Sequence, residues 1–411
     1  MGYQRHAIIG FSVQSLQKVF VFVINFVKIV VLARLLKPSD FGLFSLVMIA
    51  LGLTESFTQT GINTTIVQSK KDINYFLDTA WVIAIFRGLI IGLIMWLLAS
   101  FLSNFYQEAL LLPLIRAAAL VPIIKGFINP AVAQWQKNFN FTKEGLYQAL
   151  HLAAELILQI ILVLILKTVW GLVGGVILAA VFEVIISFLM NKERPRFHYH
   201  VNRGRYIFKN AKSLALASLF SYLNDNADDF VIGKLLNSHQ LGIYHNAYSL
   251  SHKVNYELSK AAHHGLMPVF ANLHREQEEA RLKQAFKKSV FSTLLITLLF
   301  SLPLIIWPEF FVKVVLGDQW IEASQVLPVL ILAGLVHSVV NIVYAFLIAQ
   351  KKYFSMNLHL TVSLILMLLA IFLLTPTYGL FGACLGILIA RVISFPISLI
   401  SLKKSTCESK I

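Results

Sequence analysis

The chain has 411 residues, 57% apolar and 13% charged, with a mean hydropathy of +0.73 and a formal charge of +15. A soluble domain cannot cover that much apolar surface, so a polytopic membrane protein is expected. About 12 spans of about 22 residues leave no loop long enough for a separate catalytic domain, and Cys384 and Cys407 alone make no disulfide framework.

The N-terminal apolar stretch after Arg5 is interrupted by Gln14, Gln17 and Lys18 and has no small-residue cleavage site, so it reads as the first span and not as a signal peptide. Hydropathy places spans at 8–33, 41–66, 76–102, 110–133, 146–166 and 169–190, then at 210–236, 241–270, 288–312, 323–349, 356–374 and 378–402. The expected organisation is an N-terminal six-helix lobe over 1–190, a basic cytoplasmic linker over 191–209, a C-terminal six-helix lobe over 210–402 and a cytoplasmic tail over 403–411. Asn272 to Ser289 is charged and amphipathic, with Leu273, Ala280 and Phe286 free to touch lipid, and reads as an interfacial helix. With the N-terminus inside, the inner loops hold 21 Lys and Arg against five in the outer loops. That bias places both termini in the cytoplasm. It also accounts for most of the positive charge through orientation and contact with anionic lipid, with no nucleic acid.

The halves repeat. Ala33-Arg34-Leu35-Leu36 followed by Phe41-Gly42-Leu43-Phe44 returns 200 residues later as Gly233-Lys234-Leu235-Leu236 and Leu241-Gly242-Ile243-Tyr244. Trp170-Gly171-Leu172-Val173-Gly174 and His151 return at an offset of 208 as Tyr378-Gly379-Leu380-Phe381-Gly382 and His359. Six spans per repeat imply two lobes of one orientation about a pseudo-twofold axis along the membrane normal, with a site between them.

Four spans carry polar stripes at helical spacing. The first holds Gln14, Lys18, Asn25 and Lys28; the second Ser45, Gly52, Ser56, Thr60 and Asn63; the seventh Ser218, Ser221, Asp225, Asp228 and Asp229. The eighth holds His245, Ser249, His252, Tyr256, Lys260 and His263, with Lys253 beside them. Because a charge at the membrane centre costs about 2.5–3.5 kcal/mol, these faces avoid lipid. Their length favours the walls of a hydrated central cleft, against interhelical hydrogen bonding in a packed bundle. Lys18, Lys28, Lys253 and Lys260 would supply cations there, and Asp225, Asp228 and Asp229 anions.

Lys28 and Asp228 are repeat mates at similar depth, so either they close an outer gate as an ion pair or each pairs within its own half. His151 and Glu155, four apart, are expected to satisfy each other. Glu183 and Arg391 are repeat mates of opposite charge, for which the sequence offers no account. Arg87, Arg116 and Lys125 are further intramembrane cations. His245, His252 and His263 lie about 10–16 Å apart along the axis, too far to share a metal. No nucleophile elbow, HExxH helix, P-loop or dinucleotide fingerprint is present, so neither enzymatic chemistry nor a cofactor is expected.

Several stretches in order resemble the polysaccharide biosynthesis and export family, the Wzx-type oligosaccharide-lipid flippases of the multidrug and oligosaccharidyl-lipid exporter superfamily. They are Ala33 to Phe44, Thr60-Gly61-Ile62-Asn63 through Val67-Gln68, Asp78-Thr79-Ala80-Trp81, and Met267-Pro268-Val269-Phe270 leading to Arg281-Leu282 and Phe286. The resemblance covers nearly the whole chain, although many relatives carry fourteen spans where hydropathy counts twelve. It implies two six-helix lobes in a V with a central cleft, and alternating access across the bacterial cytoplasmic membrane. The implied cargo is a polyprenyl-diphosphate-linked oligosaccharide for O-antigen, capsule, exopolysaccharide or teichuronic-type polymers. A diphosphate suits the cleft lysines, the stripes suit sugars, and the aspartates suit a coupling proton or sodium ion; other polysaccharide-assembly proteins are implied partners. The rival readings are a cation-coupled small-molecule exporter, against which the lysines of the first span argue, and a membrane glycan polymerase, against which the short outer loops argue.

Overall fold

The computed structural model describes residues 21, 23–57, 66, 67, 69 and 71–403, with side chains for all of these except 57, 210–217, 220, 252–254 and 399–403. No strand occurs among the described residues. The long helices run as α1 (residues 23–35), α2 (Pro38–Phe57), α3 (Ile73–Tyr106), α4 (Leu111–Lys125), α5 (Phe141–Leu166) and α6 (Val169–Leu189). They continue as α7 (Val201–Leu235), α8 (Ser238–Arg275), α9 (Glu279–Ile306), α10 (Ala323–Ala349), and then residues 353–378 (α11) and 380–403 (α12) on either side of Gly379. Twelve helical segments thus fall at the twelve places expected from hydropathy. Seven helices among the described residues are long and apolar enough to cross a bilayer, eight if the pair Leu111–Lys125 and Pro130–Lys137, bent by 67°, is one span. The chain is a multi-pass membrane protein. α7 and α8 have the length but carry too many polar residues to meet the same measure.

Local chemistry sets the ends. Asp72, Asn140 and Asn237 cap α3, α5 and α8 by accepting from the backbone N–H of Asn74, Lys143 and Gln240. Helix exits use the left-handed backbone at Gln107, Lys167, Gln277 and Lys351, with φ between 52° and 59°. Gly379, at φ 56°, splits Tyr353–Lys403 in two. A β-carbon on Gly382 would then lie 2.2 Å from the Leu374 carbonyl oxygen, so α11 and α12 fold back on each other. The equivalent hairpin of α5 and α6 closes at Gly171 and Gly175, where β-carbons would sit 2.7 Å from Val163 Cα and Gln159 Cα. Without a hydrophobic drive between helices in lipid, this close backbone approach is what holds such a pair together.

The chain packs as two compact units, Met1–Asn226 and Ala227–Ile411. The connection expected over 191–209 is non-helical only over residues 190–200, because α7 begins at Val201. The first part of α7 belongs to the first unit. Ile207 is buried with Ile73, Phe76, Ala80 and Ile83 of α3, Tyr206 stacks on Phe76 at 5.6 Å, and the Tyr222 hydroxyl donates to the Ile49 carbonyl of α2 at 3.0 Å.

The interfacial helix expected at Asn272 to Ser289 does not exist as such. α8 runs to Arg275 and α9 starts at Glu279. Of the three apolar residues expected to meet lipid, Ala280 is exposed, whereas Leu273 and Phe286 turn inward onto a cluster of Phe270, Leu282, Ile342, Ala345 and Phe346, with the Phe286 ring 4.6 Å from that of Phe346. α10 covers the face that the amphipathic pattern had left open.

Candidate functional site

Each unit buries a cluster of charge among its helices. In the first, Tyr147, His151 and Glu155 recur every four residues along one face of α5. Glu155 lies near the middle of that helix and meets α1, where Lys28 Nζ stands 2.6 Å from Glu155 Oε1. His151 Nε2 lies 3.9 Å from Glu155 Oε2 and 3.7 Å from Glu183 Oε2 of α6. The Tyr147 hydroxyl donates to Glu183 Oε1 at 3.2 Å. Lys125 of α4 adds a second cation within electrostatic reach of Glu155. These side chains are only partly enclosed, with 22% of Lys28, 18% of His151 and Glu155 and 14% of Glu183 exposed. Two atoms of the cluster, His151 Nδ1 and Glu183 Oε2, are buried without a hydrogen-bond partner among the described residues. His151 and Glu155 do face each other, as their spacing implied, but the shortest contact of Glu155 is to Lys28, 127 residues away.

In the second unit the signs reverse. Buried Asp228 of α7 accepts a short hydrogen bond from the Tyr244 hydroxyl of α8. Arg391 of α12 attracts it and hydrogen-bonds Tyr248. Its neighbour Asp229 lies 3.5 Å from His245 Nδ1. Hence the repeat inverts charge at two places together: Lys28 against Asp228 on the first helix of each unit, and Glu183 against Arg391 on the last. Each unit thus holds opposite charges within itself, Lys28 beside Glu155 in the first and Arg391 near Asp228 in the second. Lys28 and Asp228 each have a partner within their own unit, Glu155 and Tyr244.

The α8 stripe serves partly as interhelical contact. Asn255, one position beyond the stripe as read from sequence, is its hub. Asn255 accepts from Ser301 of α9 at 2.7 Å and donates to the Ile331 carbonyl of α10 at 3.3 Å. Asn341 donates to Ser259 at 2.9 Å, and the His263 ring meets the Asn341 carbonyl at 2.9 Å. Tyr256 stacks on His337, with exposed Lys260 lying 5.0 Å over the Tyr256 ring.

The remaining candidates separate. Asn25 is half-buried on α1, Ser56 turns back to the Leu53 carbonyl of its own helix at 2.8 Å, and exposed Asp225 accepts from Ser221 at 3.5 Å. Lys18 and Asn63, and the side chains of His252 and Lys253, lie outside the described residues. Arg116 lies over Trp96 at 4.5 Å, and Arg87 has Glu55 as its opposite charge. Among the described residues no group of three His, Cys, Asp or Glu is arranged to hold a metal ion.

Comparison with known proteins fits this arrangement. The chain is similar to the lipopolysaccharide biosynthesis protein WzxC of Escherichia coli strain K12, 23% identical over 399 residues, which span 96% of this chain and 80% of that protein. It is similar to the teichuronic acid biosynthesis protein TuaB of Bacillus subtilis strain 168, 20% identical over 288 residues, 68% of this chain and 58% of that one. Among solved structures, the lipid II flippase MurJ in an inward closed conformation matches with a TM-score of 0.71 at 14% identity, covering 95% of this chain and 87% of that one. An inward-facing multidrug resistance transporter of the MATE family also matches at 0.71, with 13% identity and coverage of 95% and 96%. At such identities these two show a shared fold alone. The family described as polysaccharide biosynthesis protein matches residues 31–325, and the chain belongs to it.

Proposed function

We propose that this protein is a flippase that moves a polyprenyl-diphosphate-linked oligosaccharide across the bacterial cytoplasmic membrane by alternating access, for assembly of a cell-surface polysaccharide. It is a transporter and not an enzyme, with both termini in the cytoplasm. The observation that carries the reading is the similarity of 96% of the chain to a lipopolysaccharide biosynthesis protein, on a fold shared with a lipid II flippase. The geometry adds support in the form of cations at membrane depth. Lys28 is partly exposed and tied to a single carboxylate oxygen, and Lys260 is exposed beside an aromatic ring. Both suit an anionic headgroup. The positive-inside bias supports the orientation.

Ligand-induced stabilisation tests the cargo. A ligand at about 100 times its Kd adds about 2.7 kcal/mol to the state that binds it. Undecaprenyl diphosphate is therefore expected to raise the melting temperature of the purified protein, and to do so less for Lys28→Ala relative to that variant's own ligand-free value. Stabilisation by small organic cations, with none by the diphosphate lipid, would favour the small-molecule exporter.

A further inference from the structure

We infer that Lys28, His151, Glu155 and Glu183 form a one-proton site in which Lys28 changes partner: the cargo diphosphate takes its ammonium, and Glu155 takes a proton in exchange. The inference rests on the cargo proposed above.

It begins from a charge count within the first unit. Lys28 and Lys125 supply two positive charges and Glu155 and Glu183 two negative ones, so with a neutral His151 the cluster sums to zero. The groups facing Glu155 from packed helices are Lys28 on α1, Lys125 on α4 and His151 on its own helix, while Glu183 on α6 faces His151 and Tyr147. Moving Lys28 onto a phosphate leaves one uncompensated negative charge at mid-helix depth, where it is costly. One proton cancels it. His151 Nε2 faces both carboxylates, 3.9 Å from Glu155 Oε2 and 3.7 Å from Glu183 Oε2, and among the described residues His151 Nδ1 and Glu183 Oε2 are buried with no hydrogen bond of their own. In the step, Glu155 gains an O–H bond with a proton taken from hydronium, which is left as water. Lys28 keeps its own proton throughout. Among the described residues Lys28 is tied only to Glu155 Oε1, which leaves two ammonium protons for phosphate oxygens.

Labelling with dicyclohexylcarbodiimide, which modifies protonated carboxyl groups in apolar surroundings, reads the state of Glu155 by peptide mass spectrometry. In the wild type at neutral pH, Glu155 is expected to be labelled weakly. It should be labelled severalfold more in Lys28→Ala and Lys28→Gln, provided each elutes as a folded monodisperse species, and more at lower pH in every case. Undecaprenyl diphosphate should raise labelling in the wild type and not in those variants. Equal labelling of Glu155 with and without Lys28 would overturn the inference, as would lipid that binds calorimetrically while labelling stays unchanged. Lipid that gives no binding heat would instead sink the cargo reading, and the two lysine variants alone would then decide whether Glu155 takes a proton when Lys28 leaves.

Discussion

Asn255 is the side chain whose removal should most clearly separate scaffold from site. It is buried, bonded to α9 through Ser301 and to α10 through the Ile331 carbonyl, and interhelical hydrogen bonds of this kind in membranes are worth about 0.6 kcal/mol each, up to about 1.7. Asn255→Ala is therefore expected to cost about 1–2 kcal/mol in a reversible unfolding titration. Ser301→Ala should add little on top of it, because the two share one bond; fully additive losses would show that the bond contributes nothing. Lys28 and Glu155 make a sharper pair. Removing one partner of a well-buried ion pair costs about 3–5 kcal/mol, and with about a fifth of each side chain exposed the loss for Lys28→Ala should be nearer 2. The exchange Lys28→Glu with Glu155→Lys should recover most of that loss; a double variant as unstable as the singles would refute the pairing. Sequence singled out Lys28 as a cleft cation and Glu155 as the partner of His151, and it passed over Asn255 and Ser301. Helical spacing reveals neighbours within one helix, so His151 and Glu155 were legible, whereas Lys28 is 127 residues from its partner and only the fold brings them together. The repeat offsets did hold a clue, since the sign inverts both at Lys28 with Asp228 and at Glu183 with Arg391, and all four sit in the two charge clusters.

The helices themselves were legible because hydropathy, caps and turns agree. Each expected span has its helix, and the boundary residues are ordinary ones: Asp72 and Asn237 at starts, left-handed Lys167 and Lys351 at exits. The failure at Asn272 to Ser289 has a physical origin. An amphipathic pattern reports that one face is apolar, and it reads the same whether lipid or another helix covers that face; here Phe346 of α10 does. The hairpin of α5 and α6 gives the prediction at this scale. A β-carbon at Gly175 would meet the Gln159 backbone at 2.7 Å, whereas at Gly174 it would meet only the end of the Leu162 side chain, at 3.0 Å. Gly175→Ala should lower thermal stability in detergent by about 1–3 kcal/mol, the usual cost of overpacking, and Gly174→Ala should change it far less. Equal effects of the two would mean that the helices are not in backbone contact at Gly175.

For the whole molecule, the composition already identified a membrane protein of many spans, and the ordered motifs identified its family, which the match over residues 31–325 establishes. What composition could not reveal is how charge is held at depth. Each unit sets opposite charges together within its own cluster, the first around Glu155 and the second around Asp228, so a cargo that recruits Lys28 must be anionic enough to displace a carboxylate at 2.6 Å. Lys28 accordingly links the proposed function to the fold. The most direct measurement is transbilayer movement of a polyprenyl-diphosphate-linked oligosaccharide in proteoliposomes, comparing the wild type with Lys28→Ala and with a control, Leu299→Ala, at an exposed apolar position of α9. Movement by the wild type and the control, lost in Lys28→Ala, is the predicted result. If folded wild-type protein moves no such lipid, or if Lys28→Ala moves it as fast as the wild type, the account of a cationic site carrying a lipid diphosphate is wrong.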